Sequence, residues 1–168
     1  MPSPSKIVVS ACLTGRHCRY DGGACETPLI RAWLAANRAD GVEVIAVCPE
    51  ELGGLATPRP PAEFRGGDSS LIWEGGSSIV RKDNDADVTK AFMEGAELAL
   101  RQADGAQIAL LKERSPSCGV KKVWLDGKLV AGQGVFAQRL QQKGVQLISE
   151  EDLSPESVNV RSRVESID

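Results

Sequence analysis

Ala106-Gln-Ile-Ala-Leu-Leu-Lys-Glu-Arg-Ser-Pro-Ser-Cys-Gly119 decides the fold of this chain. Its first six residues form a mainly apolar run that starts just after the helix-stopping Gly105 and breaks into a polar turn. That pattern predicts a buried strand ending in a loop that carries Ser115, Ser117 and Cys118. Two earlier segments have the same form, Lys6 to Ala11 running into Ser10-Ala-Cys12, and Val42 to Val47 running into Cys48-Pro-Glu50. Between these two, Thr27 caps a helix with Pro28 in its first position, Leu29, Ile30, Trp33 and Leu34 recur at helical spacing, and Gly41 ends it. Between the second and third strands, Asp87 caps a helix with Val88, Phe92, Ala96, Ala99 and Ala103 as its apolar stripe. Strand, helix, strand, helix, strand predicts an α/β fold with a mainly parallel sheet and crossover helices.

Farther out the pattern changes. Residues 52–67 contain Gly53-Gly54 and Thr57-Pro-Arg-Pro-Pro61, which predict a loop with a stiff middle and few donors for regular pairing. Leu71 to Arg81, with Gly75-Gly76 at its centre, reads as a short β-hairpin. A second short hairpin is expected at Val123 to Val130, turning at Asp126-Gly127, a type I′ signal. Gly134 to Lys143 reads as a short helix ended by Gly144, and Val145 to Ile148 as a last strand. Residues 1–153 are expected to form one domain, and 154–168, polar and non-periodic, a mobile tail.

The 168 residues suit a single core, with 42% hydrophobic and 26% charged residues, an ordinary globular balance. A formal net charge of -3 argues against the phosphate binding of strongly basic nucleic-acid proteins, so no polymeric nucleic acid is expected as a partner. The Ile7-Val-Val9 run is too short for a signal peptide or membrane span, and the expected location is cytoplasmic, with no membrane partner. Five cysteines in such a chain point to thiolate chemistry or metal binding in preference to structural disulfides. The oligomeric state is not legible.

Cys12, Cys48 and Cys118 stand at the carboxyl ends of the three apolar strands, where open α/β sheets bind their ligands. Soft thiolates converging there suggest a soft-metal or iron-sulfur site. Three are one fewer than a closed zinc or cubane site takes, which leaves a position for substrate. Each thiol taken alone could instead be a small core hydrophobe. Cys18, in the glycine-rich loop, could be a fourth ligand, a resolving thiol or a packing residue, and Cys25 reads as an incidental thiol. His17 reads as a solvated loop side chain. Glu50 and Glu51 are candidate proton-transfer groups or water-facing carboxylates. Ser115 and Ser117 could hold a water or a substrate atom, or satisfy the turn backbone. Arg19, Arg59 and Arg114 are candidates for an anionic substrate group.

Ser10-Ala-Cys-Leu-Thr-Gly15 with Cys18-Arg-Tyr-Asp-Gly22, Val47-Cys-Pro-Glu50 with Leu52-Gly-Gly-Leu-Ala-Thr-Pro-Arg-Pro-Pro-Ala-Glu63, and Lys112-Glu-Arg-Ser-Pro-Ser-Cys-Gly119 together resemble the thiouracil desulfidase (TudS-like) family of small bacterial proteins. The resemblance spans about residues 6 to 150. It implies a Rossmann-like domain holding a 4Fe-4S cluster through Cys12, Cys48 and Cys118, with the fourth iron open to substrate. It also implies catalytic roles for Glu50 and for Ser115 or Ser117, of which Ser115 is preferred. The implied activity is non-redox replacement of the thiocarbonyl sulfur of a thiolated pyrimidine (thiouracil, its nucleoside or its nucleotide) by oxygen, with sulfide released. The competing readings are a non-catalytic metal or cluster protein completed by Cys18, and a metal-free persulfide carrier.

Overall fold

The computed structural model describes residues 4–158. Four strands, β1 (Lys6–Ser10), β2 (Glu43–Val47), β5 (Ile108–Leu111) and β8 (Gln146–Ser149), form an all-parallel sheet in the order β2-β1-β5-β8. Val9 pairs with Ala46 on one side and Leu110 on the other, and Leu110 pairs with Ile148. Ile7, Val8 and Val9 have no exposed surface, as expected of a central parallel strand covered by helices on both faces.

Helix α1 (Pro28–Ala39) covers one face with Ile30, Trp33 and Leu34. Its start follows from sequence: Thr27 Oγ1 accepts the Ile30 N–H at 3.2 Å and Pro28 takes a position that needs no donor. On the other face lie α3 (Thr89–Gln102) and α4 (Val135–Gln142), whose Phe92, Ala96, Phe136 and Leu140 fill the larger core. The Val42–Val47 and Val145–Ile148 strands and all three helices stand within a residue or two of the expected places.

The remaining strands depart from the sequence reading. Residues 52–67 are not all loop, because β3 (Ala62–Arg65) lies at their end. The hairpin expected within 71–81 is replaced by a 3-10 turn at Ser69–Glu74, and β4 (Ser78–Arg81) pairs antiparallel with β3 instead. A side-chain cap explains the turn, since Asp68 Oδ1 accepts the Ser70 N–H at 3.0 Å. The second hairpin is as expected: β6 (Lys122–Leu125) and β7 (Lys128–Ala131) join through Asp126 and Gly127, both at positive φ. The parallel pairing of Phe64 with Leu125 fuses the two hairpins into a second sheet, ordered β4-β3-β6-β7.

Between β2 and β3 the short helix α2 (Pro49–Leu52) packs on α3 through two glycines. A Cβ on Gly95 would stand 1.9 Å from the Pro49 carbonyl oxygen, and one on Gly53 2.0 Å from that of Ala91. Only glycine allows this approach, and it fixes where Cys48 and Glu50 emerge. Of the expected tail, 155–158 form a helical turn whose Val158 packs on the α1-side core, and 159–168 lie outside the described residues. No helix among the described residues is long and apolar enough to cross a membrane.

Candidate active site

A cavity of about 550 Å³ opens at the carboxyl ends of β1, β2 and β5, lined also by Ala62 and Trp124 of the second sheet and by Lys82 just beyond β4. Cys12, Cys48 and Cys118 all line it, each almost wholly buried and each a free thiol. The ends of parallel strands thus bring together residues separated by more than a hundred positions, Cys12 and Cys118.

Each thiol has its own support. Cys12 lies in a 3-10 turn, Ala11–Thr14, closed by a hydrogen bond from Thr14 Oγ1 to the Ala11 carbonyl (2.7 Å). Cys48 precedes α2 and directs its Sγ toward the Cys18 carbonyl at 3.8 Å. Cys118 sits in a tightly braced loop. The N–H groups at the start of α4 donate to that loop, Val135 to the Pro116 carbonyl (2.8 Å) and Phe136 to that of Ser117 (2.9 Å). Glu113, 2% exposed, turns inward and its Oε1 accepts the N–H groups of Val120, Lys121 and Lys122 at 2.7–3.1 Å. Burial works against the Glu113 charge, but Ser149 and these backbone donors outweigh it and hold its carboxyl below the usual range. Arg114 takes a φ of +73° between the buried Glu113 and the half-buried Ser115, and all three line the cavity.

Cys18 also lies in the cavity and is 2% exposed. Hydrogen bonds to Cys18 push the Cys12 and Cys48 thiols up and draw that of Cys18 down. The sequence had left its role open between ligand, resolving thiol and packing residue, and the structure puts it beside the trio. The Sγ atoms of Cys18 and Cys48 and a Glu51 oxygen lie within 4.8 Å of one another. Cys25 is not incidental to the network either, since it shares a hydrogen bond with Cys12 and accepts one from Arg19 Nη1 at 2.8 Å. His17 is an exposed loop residue near the Gly22 carbonyl.

Glu50 and Glu51 separate in role. Glu51 is committed to structure, with Oε1 on Arg16 (2.8 Å) and Oε2 on Thr57 (2.6 Å). Glu50 faces the cavity, where Oε1 pairs with Arg59 Nε at 3.0 Å and Oε2 accepts from Ser117 Oγ (3.0 Å) and Ser115 Oγ (3.3 Å). The two hydroxyls lie 2.8 Å apart. Ser115 Oγ also accepts the N–H groups of Ser117 and Cys118, each at 3.1 Å, so this serine both shapes the turn and faces the cavity. Ser117 is fully buried against the Cys118 sulfur, whereas Ser115 is partly exposed.

The arginines singled out for an anion are spoken for: Arg19 by Asp21 and Cys25, Arg114 by Glu151, and Arg59 by Glu50. Lys82 was missed. It lines the cavity with its Nζ 5.4 Å from the Trp124 ring centre, and no carboxylate among the described residues pairs with it. Its signal in the sequence was absent, because Lys82 and Trp124 come from two hairpins whose fusion is a long-range pairing.

The donor set suits a thiophilic group. Burial, with the Glu50 and Cys18 charges beside it, outweighs hydrogen bonds from Ser10 and Ser117 and raises the Cys118 thiol to about 12, so a thiolate here would need the positive charge of a bound thiophilic group to stabilise it. An α/β domain with buried thiols and one acid-hydroxyl cluster lining a cavity at its strand ends has the layout of an enzyme that acts on a small molecule. The profile of the 2-thiouracil desulfurase family matches residues 7–152, and the chain belongs to that family. It is 40% identical over 153 residues to the uncharacterized protein YbbK of Bacillus subtilis (strain 168), spanning 88% of this chain and 97% of YbbK. Its structure is similar to that of the [4Fe-4S]-dependent thiouracil desulfidase TudS, with a TM-score of 0.73 and 39% identity over 95% of this chain and 99% of TudS. The fold is therefore the α/β fold of TudS, and the family and this neighbour make the chain an enzyme of the thiouracil desulfidase class.

Proposed function

We propose that the protein replaces the thiocarbonyl sulfur of a thiolated pyrimidine by oxygen, using a 4Fe-4S cluster held by Cys12, Cys48 and Cys118. The observation that carries this reading is the convergence of those three buried thiols on the cavity that also holds the Glu50–Ser115–Ser117 cluster. A cluster bound by three cysteines supplies one iron without a protein ligand, a soft Lewis acid for the thiocarbonyl sulfur.

The chain's own residues supply the proton chemistry. Ser115, partly exposed to the cavity, orients a water against the ring carbon. Glu50 Oε2 takes the water proton, directly or through the serine hydroxyls, and later returns it to the departing sulfur. Water plus thiocarbonyl gives carbonyl plus hydrogen sulfide, so the step balances with no oxidant or reductant. The cavity falls within the roughly 300–1,000 Å³ of small-molecule sites and admits a base, a nucleoside or a nucleotide beside the cluster. Trp124 offers the ring an aromatic face and Lys82 a cation. The five free thiols suit the reducing cytoplasm.

A second reading rests on the proximity of Cys18, Cys48 and Glu51, which would favour a single ion in place of the cluster. The engagement of both Glu51 oxygens weighs against it. The deciding experiment is iron and acid-labile sulfide analysis of anaerobically reconstituted protein, with sulfide release from 2-thiouracil and 4-thiouracil measured on the same sample. About four of each per chain, with turnover, supports the proposal. One metal and no labile sulfide supports the single ion, and no metal at all leaves the persulfide carrier.

A further inference from the structure

We propose that Arg59 is a positioning residue that fixes the Glu50 carboxylate, holding Oε1 so that Oε2 alone faces Ser115 and Ser117. This rests on the reading of Glu50 as the proton carrier. Arg59 comes from the Pro-rich loop after a cis Thr57–Pro58 peptide, and its side chain is 8% exposed, less than the 17% of Glu50 itself. Four of its five N–H donors are placed. Nε reaches Glu50 Oε1 (3.0 Å), Nη1 reaches the Ala56 carbonyl (3.1 Å) and Thr57 Oγ1 (2.9 Å), and Nη2 reaches the Cys18 carbonyl (2.8 Å).

Two consequences follow from that inventory. A guanidinium with one donor left cannot grip an anion with its fork, and a group that stays protonated cannot carry protons itself, so neither substrate capture nor acid-base work suits it. What remains is orientation. The terminal torsion of a free glutamate is broad and roughly two-fold, so either oxygen could face the serines. The Arg59 contact removes that freedom by holding Oε1, and Oε2 alone faces Ser115 and Ser117. The guanidinium is itself held by groups that do not titrate near neutrality, two carbonyls and a threonine hydroxyl. Thr57 in turn donates to Glu51, and the Arg59 N–H donates to the Tyr20 carbonyl at 2.7 Å. One side chain therefore ties together the Cys18 loop, the Pro-rich loop and the acid.

The test compares Arg59→Gln, Arg59→Lys, Glu50→Gln and the Arg59→Gln/Glu50→Gln double variant, all anaerobically reconstituted. Iron content and thermal midpoint are read alongside kcat and KM for sulfide release from 4-thiouracil. Arg59→Gln should keep its iron and lower kcat about 100-fold, the scale of a misplaced reacting group, with KM changed less than about 3-fold. Arg59→Lys should recover part of the rate, because it restores the charge and one donor. In the Glu50→Gln background, Arg59→Gln should cost less than about 3-fold more, because its effect runs through a carboxylate already removed. Losses that multiply in the double variant, a loss confined to KM, or iron lost from both Arg59 variants would overturn the proposal. Glu50→Gln turning over at the wild-type rate would instead refute Glu50 as the proton carrier, and the positioning role with it.

Discussion

Glu113 is the strongest test of how the Cys118 loop is built. The substitution Glu113→Ala removes an acceptor shared by three backbone N–H groups at 2.7–3.1 Å and buried to 2% exposure. A hydrogen bond to a charged group is worth about 1.5–3 kcal/mol, and the cost of orphaned donors is similar. Three bonds to one oxygen are not additive, and Lys121 and Lys122 lie near water, so the expected loss is about 4 kcal/mol. For a chain of this size that is a fall in Tm of about 8–16 °C. Glu113→Gln keeps the shape and one acceptor and should lose only about 1–2 kcal/mol. Urea unfolding of the thiol-reduced protein, followed by circular dichroism, measures both. The pH dependence gives a second readout. The folded carboxyl lies below its ordinary 4.5, so its stabilisation is complete above that value and is lost as pH falls through the lower folded one. Wild type should therefore lose more stability than Glu113→Gln on acidification from about pH 5 to 3. An alanine variant within 1 kcal/mol of wild type, or parallel acid profiles for wild type and Glu113→Gln, would show that the loop is held by something else.

Other expectations follow from the same geometry. Gly95→Ala should destabilise the fold by about 3 kcal/mol or more, since its Cβ would meet the Pro49 carbonyl at 1.9 Å, and urea unfolding would show it. Cys12→Ser, Cys48→Ser or Cys118→Ser should cut iron content and abolish turnover, while Cys18→Ser should keep about four irons, as read by metal analysis. Trp124→Ala should raise KM about 10-fold with iron content unchanged, the scale of a lost stacking contact, and steady-state kinetics would measure it. Lys82→Ala should raise KM for a thiolated nucleotide more than for the free base, and equal effects on both would remove its role toward an anionic group.

How much of this was legible in the chain depends on the range of the interactions. The parallel sheet was legible because β1, β2 and β5 are short apolar runs set between capped helices, and burial of the central strands β1 and β5 on both faces leaves little choice of arrangement. The type I′ turn was legible because Asp126-Gly127 encodes it locally. The first hairpin was misread because Gly75-Gly76 looked like its turn. In the structure, the Asp68 cap and the 3-10 turn it starts use those residues within a longer connection, and β4 pairs with a strand that follows two prolines. Nothing local marks Ala62–Arg65 as a strand, and Glu63 within it is a buried acid.

The thiols of the site were readable because each lies where a strand must end, but their company was not. The backbone of Cys18 is held in the cavity as well as its sulfur: its carbonyl accepts from Arg59 Nη2 at 2.8 Å and faces Cys48 Sγ at 3.8 Å. A loop pinned by its backbone delivers the side chain to the trio whether or not that side chain binds anything, so nearness alone does not make Cys18 a ligand. The open and closed sites differ in what happens when that sulfur is removed. An open site loses a neighbour and keeps its irons, while a closed one loses a bond and sheds metal. The same backbone contact runs through Arg59 to Glu50, so whatever disturbs the Cys18 loop should also disturb the acid. Cys18→Ser leaves that carbonyl in place and changes only the sulfur, and for that reason its iron content separates the two designs where a deletion of the loop would not.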